Sequence, residues 1–120
     1  MAQMDSFDCI RYYYAMATGL RAEASIVAER IRAEMAPSSI LLFGSVARGI
    51  ETASSDLDFC LLFEVLPERK IEVMRRARSV CRRVYKGPID IIAYSREEWN
   101  ARIVAGSSFE LNLQKEAIAL

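Results

Sequence analysis

The chain has 120 residues, with sixteen basic and sixteen acidic side chains and a formal net charge of zero. This length predicts a single domain, residues 1–120, and the balanced charge gives the molecule no overall attraction for nucleic acid or for an anionic membrane. The sequence lacks histidine, so imidazole metal ligands and histidine general bases are excluded, and acid or base catalysis would depend on carboxylates.

Residues 1–37 are predicted to be helical, because apolar residues recur at helical spacing on both sides of Gly19. The first stripe consists of Phe7, Ile10, Tyr14 and Ala17, and the second consists of Leu20, Ala24, Val27, Ile31 and Met35. Pro37 predicts the end of this segment, since the residue before a proline is disfavoured in the α region.

Residues 38–94 are predicted to form the core of a sheet. The short apolar run Ile40–Phe43 is typical of a strand that is buried on both faces. After a polar loop, residues 56–63 alternate with period two, which places Asp56 and Asp58 on the face opposite to an apolar row. That row consists of Leu57, Phe59, Leu61 and Phe63.

A helix and a third strand are predicted next. Pro67 is suited to the first turn of the helix, and Gly87-Pro88 would end it. Its apolar stripe consists of Val73, Ala77, Val80 and Val84. Residues 89–94 are apolar apart from Asp90, and they predict the third strand.

Residues 95–120 are predicted to form one or two short helices. Ser95 with Glu98, and Ser107 with Glu110, fit the capping-box pattern that marks a helix N-terminus. Trp99 is expected to anchor these helices through its large apolar ring.

Three aspartates therefore interrupt strands that otherwise have the composition of a buried core. Asp56 and Asp58 point to one side of their strand, and Asp90 would join them if the third strand lies beside the second. Since a buried carboxylate without a partner is costly, we expect a cation there. Oxygen ligands without histidine or clustered cysteine favour a hard cation such as magnesium, which often takes phosphate oxygens as further ligands.

Gly44 and Ser45 follow the first predicted strand directly. Glycine lets the backbone approach a phosphate group closely, and a serine hydroxyl can donate a hydrogen bond to it. The Gly-Ser pair is a weak signal alone, but together with the three aspartates it indicates phosphoryl chemistry.

These residues make the sequence resemble the DNA polymerase β-like nucleotidyltransferase superfamily. Its three-part pattern is matched by Phe43-Gly44-Ser45, then by Asp56-Leu57-Asp58-Phe59 after ten residues, and then by Ile89-Asp90-Ile91. The sequence segments Gly-Ser-Val-Ala-Arg-Gly and Ser-Asp-Leu-Asp are most similar to the minimal nucleotidyltransferase (MNT) group. Members of this group are short domains that often act as antitoxins beside a HEPN-domain toxin. The resemblance covers about residues 38–94.

The resemblance implies an α/β (α+β) fold, in which a short mixed β-sheet has helices packed on one face. It implies that Asp56, Asp58 and Asp90 are catalytic and bind two magnesium ions, and that Gly44 and Ser45 bind the triphosphate of ATP. Arg48 would add a positive charge at the phosphates. Asp90 is the candidate base, because it would have to reach the acceptor hydroxyl.

The resemblance also implies an activity, namely AMP transfer from ATP to a hydroxyl group, most plausibly on a tyrosine of a HEPN-type partner. Two alternatives remain open. The chain could be a nucleotide-binding antitoxin that sequesters its partner without turnover, or it could transfer nucleotides to a small molecule or to RNA. Polymerisation is not expected, because the remaining residues leave no room for template-binding segments.

Two surface features have more than one interpretation. An arginine-rich run in the predicted helix fits a solvated face, or a patch for an acidic partner or RNA; it consists of Arg75, Arg76, Arg78, Arg82 and Arg83. The Tyr12–Tyr14 triplet spans most of a helical turn, so at least one ring should face solvent or a partner. Homo- or hetero-oligomers are both compatible with these features.

The three cysteines, Cys9, Cys60 and Cys81, are odd in number and widely spaced, which suggests neither a disulfide framework nor a zinc site. No segment has the length and apolar character of a membrane span or signal sequence. We therefore expect a cytoplasmic protein without a membrane partner, for which nucleic acid is an unlikely ligand.

Overall fold

The computed structural model describes residues 19–52 and 54–120. The predicted helix before Gly19, the Tyr12–Tyr14 triplet and Cys9 lie outside these ranges. In chain order the elements are α1 (Leu20–Met35), β1 (Ser39–Phe43), α2 (Gly44–Arg48), β2 (Leu57–Phe63), α3 (Lys70–Arg82), β3 (Ile89–Ser95), α4 (Arg96–Val104), α5 (Ser108–Glu116) and β4 (Ile118–Ala119). None of these helices is both long and apolar enough to cross a bilayer.

The four strands form one mixed sheet in the order β3-β2-β1-β4. β1 is antiparallel to both of its neighbours, whereas β2 and β3 are parallel. Parallel strands need a crossover connection, and α3 supplies it between β2 and β3. The expected short mixed sheet is confirmed.

The first face of the sheet carries the larger part of the core, under α1 and α3. The period-two row predicted for β2 lies there, and Leu57, Phe59 and Leu61 have no exposed surface. Apolar residues of both helices pack against this row, among them Val27 and Val73. The predicted alternation is confirmed, and its physical basis is the opposite orientation of successive strand side chains.

The second face is covered in part by α4 and α5. Beyond Asp58, β2 turns Cys60 and Leu62 toward this face, where they pack with Trp99 of α4 and Leu113 of α5. The helices expected on one face are thus α1 and α3, and the C-terminal helices add a smaller layer on the other. The reason is that β2 is apolar on both faces after Asp58, so that apolar side chains on each face must be buried against other elements.

Three elements differ from the sequence-based expectations. The predicted loop after β1 begins with the five-residue helix α2, which is too short to show a hydrophobic period. Helix α3 begins at Lys70 rather than at Pro67. The two-residue strand β4 pairs with β1 at Leu41 and Leu42, a long-range contact that no local pattern indicates.

Candidate active site

The sheet topology brings three aspartates together. The parallel register of β2 and β3 pairs Asp58 directly with Asp90, and Asp56 immediately precedes β2. Each of the three side chains offers a carboxylate oxygen, and these oxygens all lie within 4.8 Å of one another. We call Asp56, Asp58 and Asp90 the carboxylate triad.

The triad is open to solvent, which corrects the expectation of buried carboxylates. Asp56 and Asp90 are exposed, and Asp58 is half-buried. The triad lies where β2 and β3 begin, whereas the cover from α4 reaches residues further along these strands, such as Leu62 and Tyr94. A ligand could therefore reach the carboxylates from solvent.

The triad concentrates negative charge without a compensating cation. No Lys or Arg in the described ranges forms an ion pair with any of its members. Burial raises the pKa of the Asp58 carboxyl group from 3.8 to about 6, and repulsion by Asp90 and then Asp56 adds to the rise. Three converging carboxylates with unbalanced charge fit a hard divalent cation such as magnesium.

Position 44 requires glycine because the backbone there passes directly against the triad. Phe43 pairs with Asp58 across β1 and β2, so the chain leaves β1 directly beside that carboxylate. A Cβ atom at Gly44 would lie 2.1 Å from Asp58 Oδ2, and Gly44 has a φ of +77°. Both the close approach and the left-handed backbone favour glycine at this position.

Ser45 and Arg48 lie on the short helix that Gly44 begins. Ser45 is half-buried in its first turn, where backbone N–H groups have no partner within the helix. Arg48 is exposed at the end of α2, where it forms no ion pair with another described residue. Gly44 is thus placed against the triad, whereas the phosphate roles of Ser45 and Arg48 stay predictions.

An apolar cavity beside Asp90 was not anticipated from the sequence. It has a volume of about 260 Å³ and is lined by Phe43, Met74, Asp90, Ile91, Ile92 and Phe109. The ring of Phe109 stands edge-to-face on that of Phe43, with 6.0 Å between the centroids. Phe109 belongs to α5 and meets β1 by a long-range contact, so no spacing in the sequence predicts its position.

A buried polar network supports α5 next to this cavity. Glu110, which is 2 % exposed, accepts a hydrogen bond of 3.1 Å from the Tyr94 hydroxyl and one of 2.5 Å from the Ser107 hydroxyl. The bond from Ser107 is the main reason that the pKa of Glu110 is lowered, although burial opposes the change. The two capping-box predictions therefore have different outcomes: Ser95 accepts from the Glu98 N–H as predicted, whereas the Ser107 hydroxyl donates to the Glu110 carboxylate.

The chain was compared with protein families, curated proteins and solved structures. The family described as "Polymerase beta, Nucleotidyltransferase" matches residues 27–107, which are 81 of the 120 residues and include the triad and the Gly44-Ser45 pair. A crystal structure from Sulfolobus solfataricus, provisionally assigned as a nucleotidyltransferase, is similar with a TM-score of 0.49 and 20% identity over 84% of both chains. No curated protein matches the sequence significantly. Because the family match spans most of the chain, this chain belongs to the polymerase β nucleotidyltransferase family.

Proposed function

We propose that the chain transfers AMP from magnesium-ATP to a hydroxyl group, and that this hydroxyl belongs to a tyrosine of a HEPN-type partner protein. The observation that carries the transfer is the carboxylate triad, with its oxygens within 4.8 Å and Asp58 against Gly44. The similarity of the Gly-Ser and Asp-x-Asp segments to the MNT group supports the choice of partner.

The chemistry of the residues present fits magnesium, and the family resemblance supports two ions. Asp56, Asp58 and Asp90 supply only oxygen ligands, which is the donor chemistry that magnesium prefers. When bound, the ions would neutralise the triphosphate and lower the pKa of the acceptor hydroxyl. Asp56 and Asp58 would hold both ions, whereas Asp90 would hold one.

The protein's own groups then have distinct tasks. The Gly44 backbone and the Ser45 hydroxyl bind phosphate oxygens, and Arg48 adds positive charge. The Asp90 carboxylate accepts the proton of the acceptor hydroxyl. The acceptor oxygen forms a bond to the α-phosphorus of ATP while the bond to the bridging oxygen breaks, so that pyrophosphate leaves with that electron pair.

Transfer can be measured directly. The purified chain is incubated with magnesium, α-³²P-labelled ATP and the protein encoded beside its gene, and label on the partner is measured. Wild type should label the partner, whereas Asp58→Asn should not, and replacing the acceptor tyrosine of the partner by phenylalanine should remove the label. Absence of label with a folded partner would contradict the proposal.

A toxin-neutralisation assay and labelling of other acceptors distinguish the alternatives. A sequestering antitoxin would still neutralise its partner when Asp56→Asn and Asp58→Asn are combined, whereas an antitoxin that acts by transfer would not. Label on an aminoglycoside or on tRNA, with none on a protein, would favour a small-molecule or RNA acceptor. Because Asp56 and Asp90 are exposed, a protein, a small molecule or an RNA could each reach the triad.

A further inference from the structure

Two neighbouring cavities extend the surface from Asp90 along α3. The cavity beside Asp90 and a second cavity of about 300 Å³ share Met74. The second cavity is also lined by Ile71, Arg75 and Arg78. We call the combined surface the Asp90–Arg78 groove.

The direction of α3 places the groove along the outer strand of the sheet. Lys70, at the start of α3, lies with its Nζ 4.2 Å from the ring centroid of Tyr94 near the end of β3. Arg82, at the end of α3, donates a hydrogen bond of 2.5 Å to the carbonyl oxygen of Gly87, just before β3. Helix α3 therefore runs antiparallel to β3, so Met74 and Arg78 lie beside the part of β3 that carries Asp90.

The groove has an apolar floor. Ile71 is 60% exposed and Phe109 is 47% exposed, although both are large apolar side chains. They flank the shared Met74, which is half-buried. Large apolar side chains that remain exposed around a concave surface are typical of an interaction site.

One arginine on the groove has an unbalanced charge. Arg75 donates to Glu72 at 2.9 Å, and Arg76, which lines neither cavity, donates to Glu68 at 3.1 Å. Arg78 is exposed and forms no ion pair with a residue of the described ranges. The groove thus combines an apolar floor with one free positive charge.

We propose that the Asp90–Arg78 groove binds the protein segment that carries the acceptor hydroxyl. An apolar or aromatic side chain of that segment fills the cavity beside Asp90, and an acidic side chain pairs with Arg78. The proposal rests on the proposed transfer function. A protein segment fits better than RNA, because RNA affinity depends on several phosphate contacts and this groove offers one free cation next to three carboxylates.

Peptide binding tests the groove without turnover. The probes are short fluorescein-labelled peptides with a Tyr-Leu pair and two nearby glutamates at varied spacing, and a second set with lysines in place of the glutamates. Fluorescence anisotropy should show that Arg78→Glu weakens binding of the glutamate peptide by roughly fivefold and favours the lysine peptide instead. Phe109→Ser should weaken binding of both sets by roughly tenfold.

Arg76→Glu is the matched control, since it reverses a charge on the same helix outside the groove, and it should leave peptide affinity unchanged. Thermal unfolding of each variant verifies folding. No binding of any peptide, equal losses for Arg78→Glu and Arg76→Glu, or tighter Arg78-dependent binding of a single-stranded RNA would each overturn the proposal. Arg78-dependent peptide binding without AMP transfer would support the groove as a binding site and refute the proposed transfer activity. Full AMP transfer by Arg78→Glu would support the transfer activity and refute the role of the groove.

Discussion

Asp58→Asn should stabilise the metal-free protein at neutral pH. The pKa of Asp58 is raised from 3.8 to about 6, first by burial and then by repulsion from Asp90 and Asp56. A carboxyl group with a raised pKa binds its proton more tightly in the folded state than in the unfolded state. Its contribution to stability therefore falls as the pH rises from about 4 to about 6, and the penalty persists at higher pH.

The expected gain can be worked out from this pKa. Each pKa unit corresponds to about 1.4 kcal/mol, so the rise represents roughly 3 kcal/mol without screening. Asp58 is only half-buried, and its two neighbours are exposed. Solvent screening should therefore reduce the gain in the free energy of unfolding to about 1 kcal/mol, or about 4 °C in Tm for a domain of this size.

Unfolding by heat and by urea, followed by circular dichroism in EDTA, measures this difference. The variant should exceed wild type by about 1 kcal/mol near pH 7, and the two should converge near pH 4, where Asp58 is protonated in wild type. Glu97→Gln, which removes an exposed carboxylate of α4, is the control for loss of one charge. A gap that is absent, or that is equal at both pH values, would refute the reasoning.

Three further outcomes are expected. Magnesium with ATP should raise the Tm of wild type, with about 2.7 kcal/mol of stabilisation at one hundred times the dissociation constant. In the same thermal-shift assay, Asp58→Asn should lose this gain. Asp90→Asn should keep much of the gain and yet lose AMP transfer. Gly44→Ala should weaken magnesium binding in calorimetric titration, because the new Cβ would meet Asp58 Oδ2. Gly106→Ala is the control, since Gly106 has the same φ of +77° with open space around it, and it should leave magnesium affinity unchanged. Equal affinities of the two variants would contradict the contact between Gly44 and Asp58. Tyr94→Phe removes a donor to the buried Glu110 and should lower the urea-derived free energy of unfolding near pH 7 by about 1–2 kcal/mol. Since the pKa of Glu110 is lowered in the folded state, this carboxylate stabilises the protein above its unfolded pKa of about 4.5 and loses that contribution as the pH falls. The Tyr94→Phe difference should therefore shrink in acid, and a difference independent of pH would count against the bond.

The sequence by itself determined the local features of this protein. The period-two row of Leu57, Phe59 and Leu61 identified one of the two buried faces of β2, and the helical stripe up to Met35 identified α1. These patterns are readable because side-chain direction repeats with the backbone geometry of a strand or helix. The site roles of the triad and of Gly44 were predicted for a different reason, namely that their residue types and spacing match the pattern of a known family.

The tertiary structure decided which of these features meet. The parallel register of β2 and β3 sets Asp58 beside Asp90, and the end of β1 sets Gly44 against Asp58. Packing also decided that Asp56 and Asp90 are exposed, and that Phe109 lines a cavity next to Asp90. Such contacts join distant segments, so they depend on the crossover through α3 and on the docking of α5. Local periodicity carries no information about either, because it reflects the backbone geometry of a few consecutive residues.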